Sequence, residues 1–217
     1  MNASRPHALV LFVCVLLLTA FIDGFRAPVL ASDPASATAL VIHGGAGTIV
    51  KGQMTPELEE EYRLELEEAL LAGQAILQSG GSSLDAVVAV IKILEDSPLF
   101  NAGKGAVFTA EGRNEMDAAI MDGSTGKAGA VAFVTRVKNP ITAARAVMDH
   151  TEHVMLAGAG ADTFAVAQGL ELAEAEYFHT DRRWKQLQEA QEKENTTTTG
   201  SLSHDTRKPY LGTVGAL

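Results

Sequence analysis

Apolar residues run from 8 to 22, broken only by Thr19. After position 37 the chain settles into shorter alternations of apolar and polar stretches. Residues 39–43 form a brief continuous apolar run with β-branched members that empties into Gly44-Gly45-Ala46-Gly47. That pattern predicts a buried strand and a tight backbone turn. Thr55-Pro56 then opens a helical pattern to Gln78, acidic in its first turns and ended by Gly80-Gly81, with Leu64, Leu66, Ala69, Leu70 and residues 72–76 expected on its inner face. Ser82-Ser83 caps a second helix, almost without a polar face, that stops before Pro98. Strand-like pieces at 106–109, 116–121 and 128–135 are separated by turn formers and read as a meander. Asn139-Pro140 starts a helix to about 149, 154–157 reads as a strand, and a last helix reaches Gln168.

Strands grouped in this way fit helices layered on an antiparallel or mixed sheet better than a doubly wound parallel fold. Residues 177–207 are mostly polar, with four consecutive threonines at 196–199, and read as a partly helical, then flexible connector. Residues 210–217 turn apolar again as the start of a strand, so the pattern is that of a chain cut short. The expected organisation is a signal peptide over 1–37, a folded half over 38–180, a flexible linker over 181–212 and a strand start over 213–217.

The first segment decides the compartment. A head with Arg5 and His7, an apolar run of 15 residues and small residues at 31–32 and 35–37 have the layout of an export signal. The run is short against the roughly 20 residues of a bilayer span. The expectation is therefore an exported protein, periplasmic or secreted, with no membrane attachment once the signal is cleaved. Cys14, the only cysteine, would leave with the signal, so the mature chain must be held by its core without disulfides. With 17 basic against 27 acidic residues the net charge is −10, which leaves no basic surface to neutralise phosphates and excludes nucleic acid as a partner.

Several motifs carry no chemistry. The glycines at 44–47 lack the third glycine and the helix spacing of a dinucleotide loop. Gly103-Lys104-Gly105 lacks the Ser/Thr of a phosphate loop, and His150, Glu152 and His153 do not make a zinc motif. No Gly-x-Ser-x-Gly is present. Gly212-Thr213 is different. A threonine opening a strand, behind a glycine and a polar tether, is what self-cleavage of that peptide bond requires. The cut frees an α-amino group, of pKa about 8, on the residue that carries the hydroxyl, so one residue supplies nucleophile and base. Threonine is also an ordinary strand residue, and the pattern alone leaves both readings open.

Four ordered motifs narrow the choice: Leu-Val-Ile-His-Gly-Gly-Ala-Gly at 40–47, Leu-Glu-Asp-Ser-Pro-Leu-Phe-Asn-Ala-Gly-Lys-Gly-Ala-Val-Phe at 94–108, Met-Asp-Ala-Ala-Ile-Met-Asp-Gly at 116–123, and Gly-Thr-Val-Gly-Ala at 212–216. Together they resemble the plant-type asparaginase/isoaspartyl peptidase family over residues 38–217. The resemblance implies an α+β fold, a four-layer αββα sandwich of the N-terminal nucleophile hydrolases. It also implies a precursor that cuts itself between Gly212 and Thr213, and Thr213 as the catalytic residue. Asn101 would support the nucleophile and its maturation, and His43, Gly44 and Gly45 would lie beside the site. A structural sodium ion would be wrapped by the main-chain carbonyls of Leu94, Glu95, Ser97, Phe100, Ala102 and Lys104, with no cofactor for catalysis.

The implied substrates are asparagine and β-aspartyl dipeptides, and the implied assembly is an (αβ)₂ complex of α and β subunits. The family's substrate-anchoring arginine and aspartate and its oxyanion donors follow the nucleophile by a considerable stretch. Only four residues follow Thr213 here, so this chain alone is expected to be inactive and to leave apolar faces uncovered. The alternatives are a non-catalytic exported remnant and a glycosylasparaginase-like amidase.

Overall fold

The computed structural model describes residues 38–45, 54–197 and 213–217. The expected leader at 1–37, Ala46 and Gly47, and the linker from 198 through Gly212 lie outside the described residues. Helix α1 (Pro56–Gln78) starts where expected, with the Thr55 hydroxyl oxygen accepting the Leu58 N–H at 3.2 Å. Of its expected inner face Ala69 and Gly73 are buried and Leu66 packs against the core, with Tyr62 buried beside them, whereas Leu64 and Leu70 are exposed. The reason is the close approach of α2 (Ser83–Asp96): a Cβ on Gly73 would fall 2.7 Å from Val90 Cγ2 and 2.6 Å from Leu40 Cδ2. The helix rotates to present its small residues there instead of its leucines. Ser82 caps α2 by accepting the Asp85 N–H at 3.1 Å.

Strands β2 (Met116–Met121) and β3 (Ala128–Val134) form an antiparallel hairpin. The turn is built by Asp122, whose carboxylate accepts the Ser124 N–H at 2.9 Å and the Ser124 and Thr125 hydroxyls at 2.7 Å each. Pairing of Met116 with Val134 and of Ala118 with Val131 leaves one extra residue on β3, a bulge. Phe133 sits there at φ 55°, its N–H donating to Asp117 Oδ1 at 2.8 Å. Strand β4 (Met155–Ala157) joins β3 in parallel, so the sheet is mixed, in the order β2-β3-β4.

The expected strand at 106–109 does not join this sheet. Only a single bridge, Phe108 with Asn114, forms there, because the Asn114 side-chain amide donates to Ala106 O at 2.9 Å and Val107 O at 3.2 Å, carbonyls a ladder would need.

Helix α3 (Pro140–His150) packs Ile141, Ala144, Val147 and Met148 onto one face of β2 and β3. Gly129 permits the approach, since a Cβ on it would meet Ala144 O at 2.2 Å. Helices α4 (Gly158–Ala167), α5 (Ala175–Phe178) and α6 (Asp181–Thr197) follow. Helix α6 occupies the start of the stretch expected to be a linker. It is seated on the body, with Arg183 only 3% exposed and Trp184 edge-on to Phe108. It is the helical part expected in 177–207, and hydrogen bonds from Arg183 and Gln191 to backbone oxygens join Trp184 in seating it. Finally β1 (Ile42–His43) pairs antiparallel with β5 (Gly215–Ala216), bringing the two ends of the described chain together.

The α+β expectation holds. No helix among the described residues is long and apolar enough to cross a membrane. The other face of the β2–β3–β4 sheet is open: Met121, Phe133 and Met155 are each more than half exposed.

Candidate active site

The turn after α2 is tightly folded. Gly103 has φ 50°, and a Cβ on it would stand 2.2 Å from Glu95 O. A Cβ on Gly105 would stand 2.1 Å from Phe100 O. The backbone thus folds back on the end of α2 as only glycine allows. Phe100 is buried, edge-on to Tyr62 at 5.5 Å, and the space beside its ring is filled by Gly44, where a Cβ would lie 2.9 Å from Phe100 Cε1. Asn101 follows, its Oδ1 accepting the Val107 N–H at 2.9 Å. That bond orients the side-chain amide.

The end of α2 is tied to α3 by the side chains of Glu95, Asp96 and Asn139. Asn139 occupies the expected cap position but makes no capping hydrogen bond with its side chain; it donates to Asp96 Oδ1 at 3.0 Å. The cap comes from Glu95, whose Oε1 accepts the Ile141 N–H at 3.0 Å. Burial pushes the Glu95 carboxyl up to about 8, against the opposing pull of the Ile141 N–H and Asn139. Its Oε2 has no protein partner among the described residues. Tyr177 donates its hydroxyl to Asp96 Oδ1 at 2.9 Å, and burial, then Asp96, holds the phenol above its usual range.

Of the six residues expected to offer carbonyls to sodium, Leu94 and Glu95 lie in the last turn of α2, and Ser97, Phe100, Ala102 and Lys104 in the stretch that follows it. The fold-back at Gly103 brings the two against each other. Among the described residues no group of three or more His, Cys, Asp or Glu could hold a metal. A ring of main-chain oxygens is a different donor set, suited to a hard cation. Ala102 O also accepts the Gly105 N–H at 3.0 Å.

Thr213 is exposed, two residues before β5, and opens onto a cleft of about 1240 Å³. Asn101, Ala102, Gly103 and Glu95 line the same cleft, with Asp117 and Phe133 across it. The ribbon of β1 and β5 therefore carries Thr213 to the turn that carries Asn101. His43, Gly44 and Gly45 stand at the ribbon rather than in the cleft lining: His43 pairs with Gly215, and its Nδ1 accepts the Gly45 N–H at 3.3 Å. Gly212 lies outside the described residues. An accessible hydroxyl and an oriented amide that line one cleft, whose titratable lining residues are the carboxyls of Glu95, Glu115, Asp117 and Asp122, are groups of a kind used in acyl transfer. The sequence reading missed Tyr62, Asn114, Arg182 and Arg183 as supports of this turn. Only Tyr62, a lone aromatic in a glutamate-rich helix, left a visible signal.

The profile of the asparaginase family matches residues 36–217. The chain is 45% identical over 178 residues to the isoaspartyl peptidase of Escherichia coli strain K12, covering 82% of this chain and 56% of that protein. It is 44% identical over 180 residues to the isoaspartyl peptidase of Salmonella typhimurium, covering 82% and 57%. It is 52% identical over 156 residues to the plant-type L-asparaginase of Pyrococcus abyssi, covering 71% and 48%. The chain spans about half the length of the curated relatives it matches.

Proposed function

This chain belongs to the asparaginase family, and on that premise we propose that it serves the hydrolysis of the side-chain amide of L-asparagine and of the isopeptide bond of β-aspartyl dipeptides, with Thr213 as the nucleophile. The observation that carries the reading is the cleft shared by the exposed Thr213 and the oriented Asn101. Cleavage of the Gly212–Thr213 bond leaves a carboxylate on Gly212 and an amine on Thr213. The freed amine, of pKa about 8, takes the proton of its own hydroxyl. The oxygen attacks the substrate carbonyl carbon, the C–N bond breaks, and ammonia or the dipeptide's amine leaves with that proton. Water then hydrolyses the threonyl ester to release aspartate. Asn101 holds the hydroxyl in place.

The carbonyls of Leu94, Glu95, Ser97, Phe100, Ala102 and Lys104 would hold a sodium ion whose charge rigidifies the turn. The open sheet face supports a four-layer αββα sandwich, with a second sheet from the β-subunit segment packing on Met121, Phe133 and Met155, and an (αβ)₂ assembly. Until that face is covered the chain is inactive. The apolar run at 8–22 supports export.

The test is mass spectrometry joined to an ammonia assay on the natural full-length product. The expected result is two polypeptides meeting at Gly212/Thr213 and ammonia released from asparagine. Thr213→Ala should give one uncut chain with activity lost by at least about a thousandfold. An active enzyme with that junction intact, or Thr213→Ala with full activity, overturns the reading.

A further inference from the structure

The two consecutive arginines at the start of α6 are spent on the turn that carries Asn101. Arg183 is 3% exposed, yet both groups its guanidinium donates to are neutral: Gly105 O at 2.6 Å and Gln186 Oε1 at 2.9 Å. Its burial, with Arg182 beside it, holds its pKa below the usual range. A charge in such a setting is costly to keep unless the geometry it imposes matters elsewhere. Arg182 donates to the Tyr62 hydroxyl at 2.8 Å and reaches Leu99 O at 3.5 Å, and Tyr62 itself donates to Leu99 O at 2.9 Å. The pair therefore grips the turn at two carbonyls, those of residues 99 and 105, on either side of Asn101. Neither belongs to the six assigned to sodium, so the oxygens of the turn divide between the arginines on one side and a cation on the other. Two residues beyond Gly105 lies Val107, whose N–H is the donor that orients Asn101 Oδ1.

We propose that Arg183, assisted by Arg182, is a positioning residue for Asn101, acting through Gly105 and the Val107 amide. The segment that leads towards the Gly212–Thr213 bond thereby sets the geometry of the residue that supports the nucleophile. This inference rests on the proposed function above. Charge alone does not suffice, because the planar guanidinium reaches Gly105 O and Gln186 at once, which a single ammonium does less well.

The experiment compares Arg183→Met, Arg183→Lys, Arg182→Met and Trp184→Ala in the natural full-length product. It reads the rate of cutting at Gly212/Thr213, kcat and KM on asparagine, and the thermal midpoint. Trp184→Ala loosens the seat of the same helix without removing a donor to the turn. Arg183→Met is expected to lower both the cutting rate and kcat by about tenfold or more, with KM within about twofold. Arg183→Lys should recover part of the loss, and Arg182→Met should show a smaller defect of the same kind. Trp184→Ala should lower the midpoint with kcat kept within about twofold. If Arg183→Met is insoluble, Arg182→Met and Arg183→Lys carry the test, and wild-type kcat and cutting in both overturns the proposal. Arg183→Met with wild-type kcat and cutting, or Trp184→Ala with an equal loss of kcat, also overturns it. Thr213→Ala separates the two failures: activity there refutes the proposed function, whereas a dead Thr213→Ala beside a fully active Arg183→Met refutes only the positioning role.

Discussion

The turn after α2 and the open face of the β2–β3–β4 sheet lie across one cleft from each other, and they are built on opposite principles. In the turn the backbone polar groups are gripped by Tyr62, Asn114 and Arg183, and glycines bring main chain against main chain. Its geometry is closed within the chain. On the sheet face Met121, Phe133 and Met155 stand in solvent beside small residues such as Ala119 and Ala130, with nothing described packed on them. The difference separates a surface shaped by this chain alone from one shaped for something else.

The largest effect that tests this contrast is Gly105→Ala. The new methyl would sit 2.1 Å from Phe100 O and 2.8 Å from Pro98 O, both backbone, so the turn must open. A loss of roughly 3 kcal/mol is expected in urea melts, against less than about 1 kcal/mol for Gly123→Ala in the open hairpin turn. A methyl on Gly123 would meet no atom within 4 Å. Equal losses would mean that the turn is no more constrained than the hairpin.

Of intermediate size is the effect of Met121→Glu with Met155→Glu. If the face is vacant in this chain, folding stability should move by only about 0.5 kcal/mol per site. Association measured by sedimentation should weaken. A drop of several kcal/mol in the melts would show that the same chain covers the face.

The smallest effect concerns pH. Hydrogen bonds from Thr125 and Ser124 lower the Asp122 carboxyl to about 2. A carboxyl held below its unfolded value contributes stability that is whole above that value and drains as the pH falls through about 2. Asp122→Ala should therefore flatten a shallow acid-side decline between about pH 4 and pH 2 in thermal melts. An unchanged decline would assign it to other carboxylates.

Much of the secondary structure was legible because its signals are local. Thr55-Pro56 and Ser82 start helices by accepting N–H groups within three residues, and the Asp122 turn closes on its own hydroxyl neighbours. The start of α3 was legible as a position, while its cap was not, because Glu95 lies 46 residues away. The inner face of α1 was legible in part: Ala69 and Gly73 are buried as expected, but Leu64 and Leu70 are exposed, because close packing of two helices favours small residues. Helix α6 is the helical part expected in 177–207, but its seat on the body was not legible, because Arg183 and Gln191 donate to backbone oxygens that leave no mark in the sequence.

What the amino-acid order alone determined, then, was where most helices and the hairpin turn begin, since caps and turns act over a few residues. Only the tertiary structure decided that Thr213 and Asn101 share a cleft, that Arg183 grips Gly105, and that one sheet face is left open. Those outcomes depend on pairings across 78 residues or more of chain, for Arg183 with Gly105 and for the β1–β5 ribbon alike, and such pairings are chosen by how surfaces fit together.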